Sequence, residues 1–351
     1  MLPILKKSFI RIFLLSITFL MFGAYFEVVK MSSGFQGTED PEVARAEKEV
    51  KEKETSFGPE SPEAVLAMAK LANLYRRQER YDEAEPLFKK VVDVIEKVFG
   101  KDHSATATAL NNLAEVYSAQ KRYTEAELMF KRSLGIVEKT LGRDHSRAAI
   151  VLNNLAEIYA EQGRYEEAEP LFARALGINE KKLGKQHPDT LASLNNLADV
   201  YSKQGKYLQA EPLLRIALVD GEKALGDGHP AIALALNNLG GLYVSQGKMS
   251  EAEPLFKRSL EISEKLFGND HYSTATALNN LAGVYSSQKR YKEAEPLFKR
   301  SLEIEEKLLG KDSINVATTL NNLAEVYNKE NRSAEAEPLL QRSIEINEKI
   351  L

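Results

Sequence analysis

Apolar positions along this chain fall into two alternating helical stripes. Leu110, Leu113, Ala114 and Tyr117 sit at i, i+3, i+4 and i+7, the spacing that gathers side chains on one face of an α-helix. Lys121-Arg122 interrupts the stripe as a tight turn, and several other copies read Gln-Gly-Lys or Gln-Gly-Arg there. A second stripe follows at Tyr123, Ala126, Phe130, Leu134 and Val137, and it closes at Gly142, a residue suited to a left-handed C-terminal cap. Alanine at the mid-positions lets helix axes approach, while the large residues fill the space between them. Proline recurs at Pro86, Pro170, Pro212, Pro254, Pro296 and Pro338. Just past the turn, it reads as a helix-start signal in the first helical turn, where a missing N–H is not needed.

The pattern then repeats every 42 residues with no insertion or deletion. Leu71, Leu113, Leu155, Leu197, Leu239, Leu281 and Leu323 form one series, and Tyr75, Tyr117, Tyr159, Tyr201, Tyr243, Tyr285 and Tyr327 another. Ala84, Ala126, Ala168, Ala210, Ala252, Ala294 and Ala336 form a third. A fixed period of this kind means stacked two-helix units, none of which buries its apolar face alone. Residues 59–351 make seven such units, and residues 41–58 read as a lone second helix that shields the first. Ile344, Ile346, Ile350 and Leu351 leave the last helix only partly polar, either as a tolerated edge or as a self-association surface.

The first thirty residues break this pattern. Lys6, Lys7 and Arg11 precede an apolar run from Ile12 to Phe26, closed by Glu27, and residues 31–40 read as a linker. Fifteen helical residues span about 22 Å, but snorkelling of Arg11 and Glu27 extends the run to residues 9–29, long enough to cross. An uncleaved anchor is preferred to a cleaved signal because Phe22-Gly23 before Ala24 makes a poor cleavage site. A buried helix is the third reading. With the positive charges kept inside, both leading readings place the remainder outside the cytoplasm: membrane-anchored, or secreted or periplasmic after cleavage.

Leu113-Ala114-x2-Tyr117 followed by Ala126-x3-Phe130 resembles the tetratricopeptide repeat. The 42-residue period, with Leu-Asn-Asn-Leu-Ala, Glu-Ala-Glu-Pro-Leu and Gly-Lys-Asp-His segments, is similar to the kinesin light chain subgroup of that family. The resemblance covers residues 41–351 and implies an all-α fold, a right-handed superhelical solenoid of antiparallel helix pairs preceded by an N-terminal hydrophobic helix. It further implies that the first helices line a concave groove, with the second helices outside.

Two adjacent asparagines are the candidate chemistry of that groove. Asn111-Asn112 recurs as Asn153-Asn154, Asn195-Asn196, Asn237-Asn238, Asn279-Asn280 and Asn321-Asn322. Asparagine is a mediocre helix former, so a mid-helix pair is a local cost. An amide offers donor and acceptor together and can hold a peptide backbone whatever its side chains. The alternative is that one of each pair bonds to the neighbouring helix and stabilises stacking. The resemblance assigns ligand contact to the second of each pair. One turn on stand Asn73, Glu115, Glu157, Asp199, Gly241, Gly283 and Glu325, while the first repeat replaces the pair by Ala69-Lys70 and continues to Arg76 and Arg77. These residues predict a basic mouth, an acidic middle and a roomy neutral stretch. They suit a protein or peptide partner with basic residues centrally and a bulky side chain near the glycines; ordinary solvated charge is the alternative.

Composition narrows the rest. The net charge of −4, from 47 basic and 51 acidic residues, argues against nucleic acid. Without cysteine there is neither a disulfide framework nor a thiolate metal site. His103, His145, His187, His229 and His271 share one repeat position. Helices packed about 8–10 Å apart hold equivalent loops too far from one another for a common metal. A structural role in the turn is expected for them, with no metal or cofactor. No phosphate loop, HExxH or dinucleotide motif occurs, and consecutive Asp102-His103-Ser104 side chains do not converge as a triad. The chain reads as an interaction scaffold and not an enzyme, the second reading being an assembly protein that oligomerises through its repeat ends.

Overall fold

A computed structural model describes residues 40–350. Among these, every regular element is helical. Helix α1 spans Pro41–Phe57, and seven pairs follow: α2 Pro62–Arg77 with α3 Tyr81–Phe99, α4 Ser104–Ala119 with α5 Tyr123–Leu141, and α6 Ser146–Glu161 with α7 Tyr165–Leu183. Next come α8 Pro188–Lys203 with α9 Tyr207–Leu225, α10 Pro230–Ser245 with α11 Met249–Phe267, α12 Tyr272–Ser287 with α13 Tyr291–Leu309, and α14 Ile314–Lys329 with α15 Ser333–Ile350. The chain forms two compact units that divide after Lys182, at the end of α7. The hydrophobic segment expected within residues 1–30, and the linker up to residue 39, lie outside the described residues. No helix among the described residues is long and apolar enough to cross a membrane.

Each pair is held as the stripes require. In the first unit Leu110, Ala126 and Phe130 are fully buried; in the second, Leu239, Ala252 and Phe256 pack with Leu281, Ala294 and Phe298. Within either unit, successive first helices of the pairs also touch, α4 with α6, α8 with α10, α10 with α12 and α12 with α14. No comparable contact joins successive second helices within a unit, so the first helices form the inner layer of each unit. Helix α1 buries Val43, Ala46 and Val50 against the first pair. Its Glu54 holds Lys90 at 2.7 Å, as Glu96 holds Arg132 at 2.6 Å one repeat later.

Two terminal features differ from the sequence reading. The glycine closing α5 has φ 96° and ψ 156°, an extended positive-φ conformation open essentially to glycine alone, not a left-handed helical cap. Pro86 is the sixth residue of α3, not a first-turn residue, so one intrahelical bond is missing there. The proline is exposed, and water can satisfy the carbonyl it leaves free.

Candidate functional site

The inner layer carries the asparagine pairs, and the two members of a pair do different things. The second asparagine of one repeat donates to the first of the repeat before it. Asn154 Nδ2 reaches Asn111 Oδ1 at 3.2 Å in the first unit. In the second unit Asn238 Nδ2 reaches Asn195 Oδ1 at 3.1 Å and Asn322 Nδ2 reaches Asn279 Oδ1 at 3.3 Å. Amide rungs therefore join consecutive repeats. Asn111 and Asn195 are buried, Asn321 is exposed, and the remaining pair members are half-buried. Asn153 and Asn196 are engaged as well. Asn112 and Asn280 make no hydrogen bond within the described residues. For Asn112 the reason is plain, because Ala69 stands where its acceptor would be.

Charge on this layer is more compensated than the residue order suggests. Arg76 Nη1 lies 2.6 Å from Glu115 Oε2, and Asn111 Nδ2 and Asn154 Nδ2 donate to Glu115 Oε1 at 2.7 and 3.2 Å. Lys70 reaches Glu49 of α1 at 3.4 Å. Where the basic mouth meets the acidic middle, the two partly neutralise one another, because residues 39 apart in sequence are neighbours across a repeat junction. Glu157, Asp199 and Glu325 are exposed. Gly241 and Gly283 leave open space, and a Cβ at either would meet nothing within 4 Å.

Behind this surface lies a repeating knot that the periodicity did not single out. Glu127 accepts from Tyr159 Oη at 3.0 Å and from Arg164 at 2.8 Å, and it pairs with Lys131 at 2.5 Å. Glu295 likewise holds Tyr327 at 3.2 Å, Arg332 at 2.7 Å and Lys299 at 2.7 Å. The guanidinium of Arg164 or Arg332 also covers the ring of Tyr159 or Tyr327 at 4.0 and 4.1 Å. Partial burial raises the Glu127 carboxyl, but the bonds from Lys131, Arg164 and Tyr159 outweigh it and hold the group at about 2. At Glu295 the Arg332 bond leads and the result is also about 2. In the first pair, burial together with a 2.5 Å bond to Glu47 pushes the Tyr75 hydroxyl to about 12. The signal was present in the sequence as a glutamate that recurs every 42 residues, at Glu85, Glu127, Glu169, Glu211, Glu253, Glu295 and Glu337, without a visible partner.

The five histidines begin helices. His103, His145, His187 and His229 each accept at Nδ1 from the backbone N–H two residues on at 3.2 Å, and His271 does so at 3.1 Å. This is N-cap geometry, and Ser61 and Ser313 serve α2 and α14 in the same way. Outside the inner layer, α9 shows an apolar stripe, Leu208 (92% exposed), Pro212, Ile216 and Val219, where all the other repeats carry at least a lysine or arginine at the position of Ile216.

Comparison with known proteins fits this geometry. The tetratricopeptide-repeat family profile matches residues 63–139, 147–218, 203–265, 231–307 and 273–349, well over half of the chain. Characterised protein sequences give no match. Among solved structures, one of nearly identical TPR-like repeats, assigned to a kinesin light chain of Podosopora anserina, is 28% identical with a TM-score of 0.52, covering 57% of this chain and 94% of that one. BtubC (BKLC) of P. vanneervenii is 22% identical over 64% of this chain and 91% of its own, with a TM-score of 0.57. The apo quorum sensor NprR of B. thuringiensis is 17% identical over 87% and 82%, with a TM-score of 0.69. The last two share the fold alone. Period, helix pairing and profile agree: this chain belongs to the tetratricopeptide-repeat family and is of the kinesin light chain-like type.

Proposed function

We propose that the protein is an interaction scaffold that holds an extended segment of a partner protein along the inner layer of its repeats. The observation that carries this reading is the recurring, half-buried amides, whose bonding capacity the rungs use only in part. A side-chain amide has two donors and two acceptor sites, and a rung takes one donor from one residue and one acceptor site from the other. What the half-buried second members leave unused, together with the side chains of Asn112 and Asn280, suits a peptide backbone. The exposed carboxylates Glu157 and Asp199 favour basic residues in the partner.

The test is a crosslinking pull-down from the native compartment, comparing intact protein with an Asn112→Ala/Asn280→Ala variant. These two positions are chosen because neither closes a rung, so stacking stays intact. A clear loss of captured partner at unchanged thermal stability is expected; equal capture would remove the inner layer from the binding site.

We further place the repeats outside the cytoplasm and tethered to a membrane, on the strength of Lys6, Lys7 and Arg11 ahead of the apolar run. A phosphatase fusion at residue 40 that stayed inactive would refute this. A second reading, association through α15, rests on exposed Leu340 and Ile344. Light scattering that gives a monomer mass at every concentration would remove it.

A further inference from the structure

In the second unit the inner positions of α10 and α12 differ from their neighbours on both sides. Helices α8 and α14 present Asp199 with Lys203 and Glu325 with Lys329, all exposed. Helices α10 and α12 present Gly241 with Ser245 and Gly283 with Ser287. A mid-helix glycine costs roughly 1 kcal/mol relative to alanine, and here packing gives no reason for it. Neither residue has positive φ, and a Cβ at either would meet open space. Gly240, by contrast, is required, because a Cβ there would lie 2.8 Å from the Phe256 ring. The serine hydroxyls turn back onto the glycine carbonyls, Ser245 Oγ to Gly241 at 3.0 Å and Ser287 Oγ to Gly283 at 2.9 Å. The result is a low, neutral floor with its own polar groups satisfied.

A second, independent observation marks the same place. The amide rungs also fail here and only here in the second unit: Asn237 Oδ1 is sealed from solvent and accepts nothing, and Asn280 engages nothing among the described residues. The rungs on either side are closed.

We infer that the floor at Gly241 and Gly283 is a subsite for a bulky, uncharged side chain of an extended peptide, with Asn280 as the uncommitted amide that holds the peptide backbone. This rests on the scaffold reading above and names the chemistry of its ligand. The centre offers no counter-charge, so a charged side chain would be stripped of water without a partner. An apolar one covers the bared backbone of the two glycines. Crossing from α8 to α14 takes three helix steps of about 9 Å, a distance that roughly eight extended residues span.

The experiment is selection of a random twelve-residue phage-displayed peptide library on the full chain, followed by fluorescence polarisation titration of the recovered peptides. The expected peptides carry a central uncharged bulky residue, and its replacement by Asp or Lys weakens binding at least tenfold. A Gly241→Glu/Gly283→Glu variant, which restores the carboxylates of neighbouring repeats, weakens it equally. Circular dichroism melts of that variant, at or above the parent, show that the fold is retained. Peptides that lose affinity on Asn280→Ala or Asn112→Ala but ignore the glycine change overturn the subsite and leave the scaffold reading standing. If no peptide is recovered, or recovered peptides ignore both sets of changes, both readings fall.

Discussion

Glu127 and its counterpart Glu295 each tie three elements together, and their titration makes that visible. Glu295 joins its own helix through Lys299, the next first helix through Tyr327 and the next turn through Arg332. Its folded carboxyl sits near 2 against an ordinary value of 4.5. The unfolded chain therefore takes the proton first as pH falls, so the stabilising contribution is complete above about 4.5 and disappears towards 2. Glu295→Gln should lower stability at pH 7 by about 1–2 kcal/mol, since charge-assisted bonds are lost at a partly solvated site. It should also flatten the acid limb of a urea-denaturation series between pH 4.5 and 2. The histidine caps act in a higher window. His145, His229 and His271 are pulled below 6.5, in each case chiefly by burial. Only the neutral ring can accept at Nδ1, so the caps contribute fully above about 6.5 and weaken as pH drops below it. Replacing all three by Asn, which caps without titrating, should leave melting at pH 8 nearly unchanged and reduce its fall between pH 7 and 5. An equal fall in parent and variant would exclude the caps as its cause.

At the scale of the element, adjacent glycines in α10 are set apart by what lies beneath them. Gly240 faces Phe256, and an added methyl at 2.8 Å from that ring has to displace it or separate α10 from α11. Gly240→Ala should cost about 1–3 kcal/mol, the usual range for overpacking. Gly241 faces open space, so Gly241→Ala should stabilise the helix by about 0.5–1 kcal/mol. Chemical denaturation of the two variants should move the midpoint in opposite directions, and the same sign in both would contradict the assigned faces. This contrast also bounds what the sequence made legible. Stripes of Leu, Ala and Tyr announce helices and their buried faces because periodicity is a property of one helix. Whether Asn154 turns toward solvent or toward Asn111, or Arg76 toward a ligand or toward Glu115, depends on the offset between neighbouring helices. A repeat length does not contain that offset. The glycine column was legible as roomy, whereas the failed rung between Asn237 and Asn280 was not. The terminal glycines and Pro86 were recognised as helix-end residues, but their backbone geometry and position in the turn emerged only from the three-dimensional arrangement.

For the molecule as a whole, the strict 42-residue register means that equivalent positions meet at every junction inside a unit, so a repeat is removable only in whole multiples. Excision of residues 272–313 joins His271 to Ile314 and leaves the cap of the following helix in place. Each contact of the last repeat then finds an equivalent partner one repeat earlier. Arg342, which pairs with Glu306, meets Glu264, and Arg332 and Tyr327 meet Glu253 in place of Glu295. Asn322, which donates to Asn279, meets Asn237, whose Oδ1 lacks a donor. Stability in such arrays is approximately a sum of repeat and junction contributions. The shortened protein should therefore fold cooperatively, with ellipticity reduced in proportion to length and a modestly lower melting temperature. Excision of 40 residues instead rotates the following helix by about 200° relative to the seam, at 100° per residue. It should turn Leu320, Leu323 and Tyr327 out of the core, giving a broad transition and dye-accessible apolar surface. If the two deletions melted alike, the junctions would not be interchangeable, and the amide rungs would be individual accidents and not one repeated device.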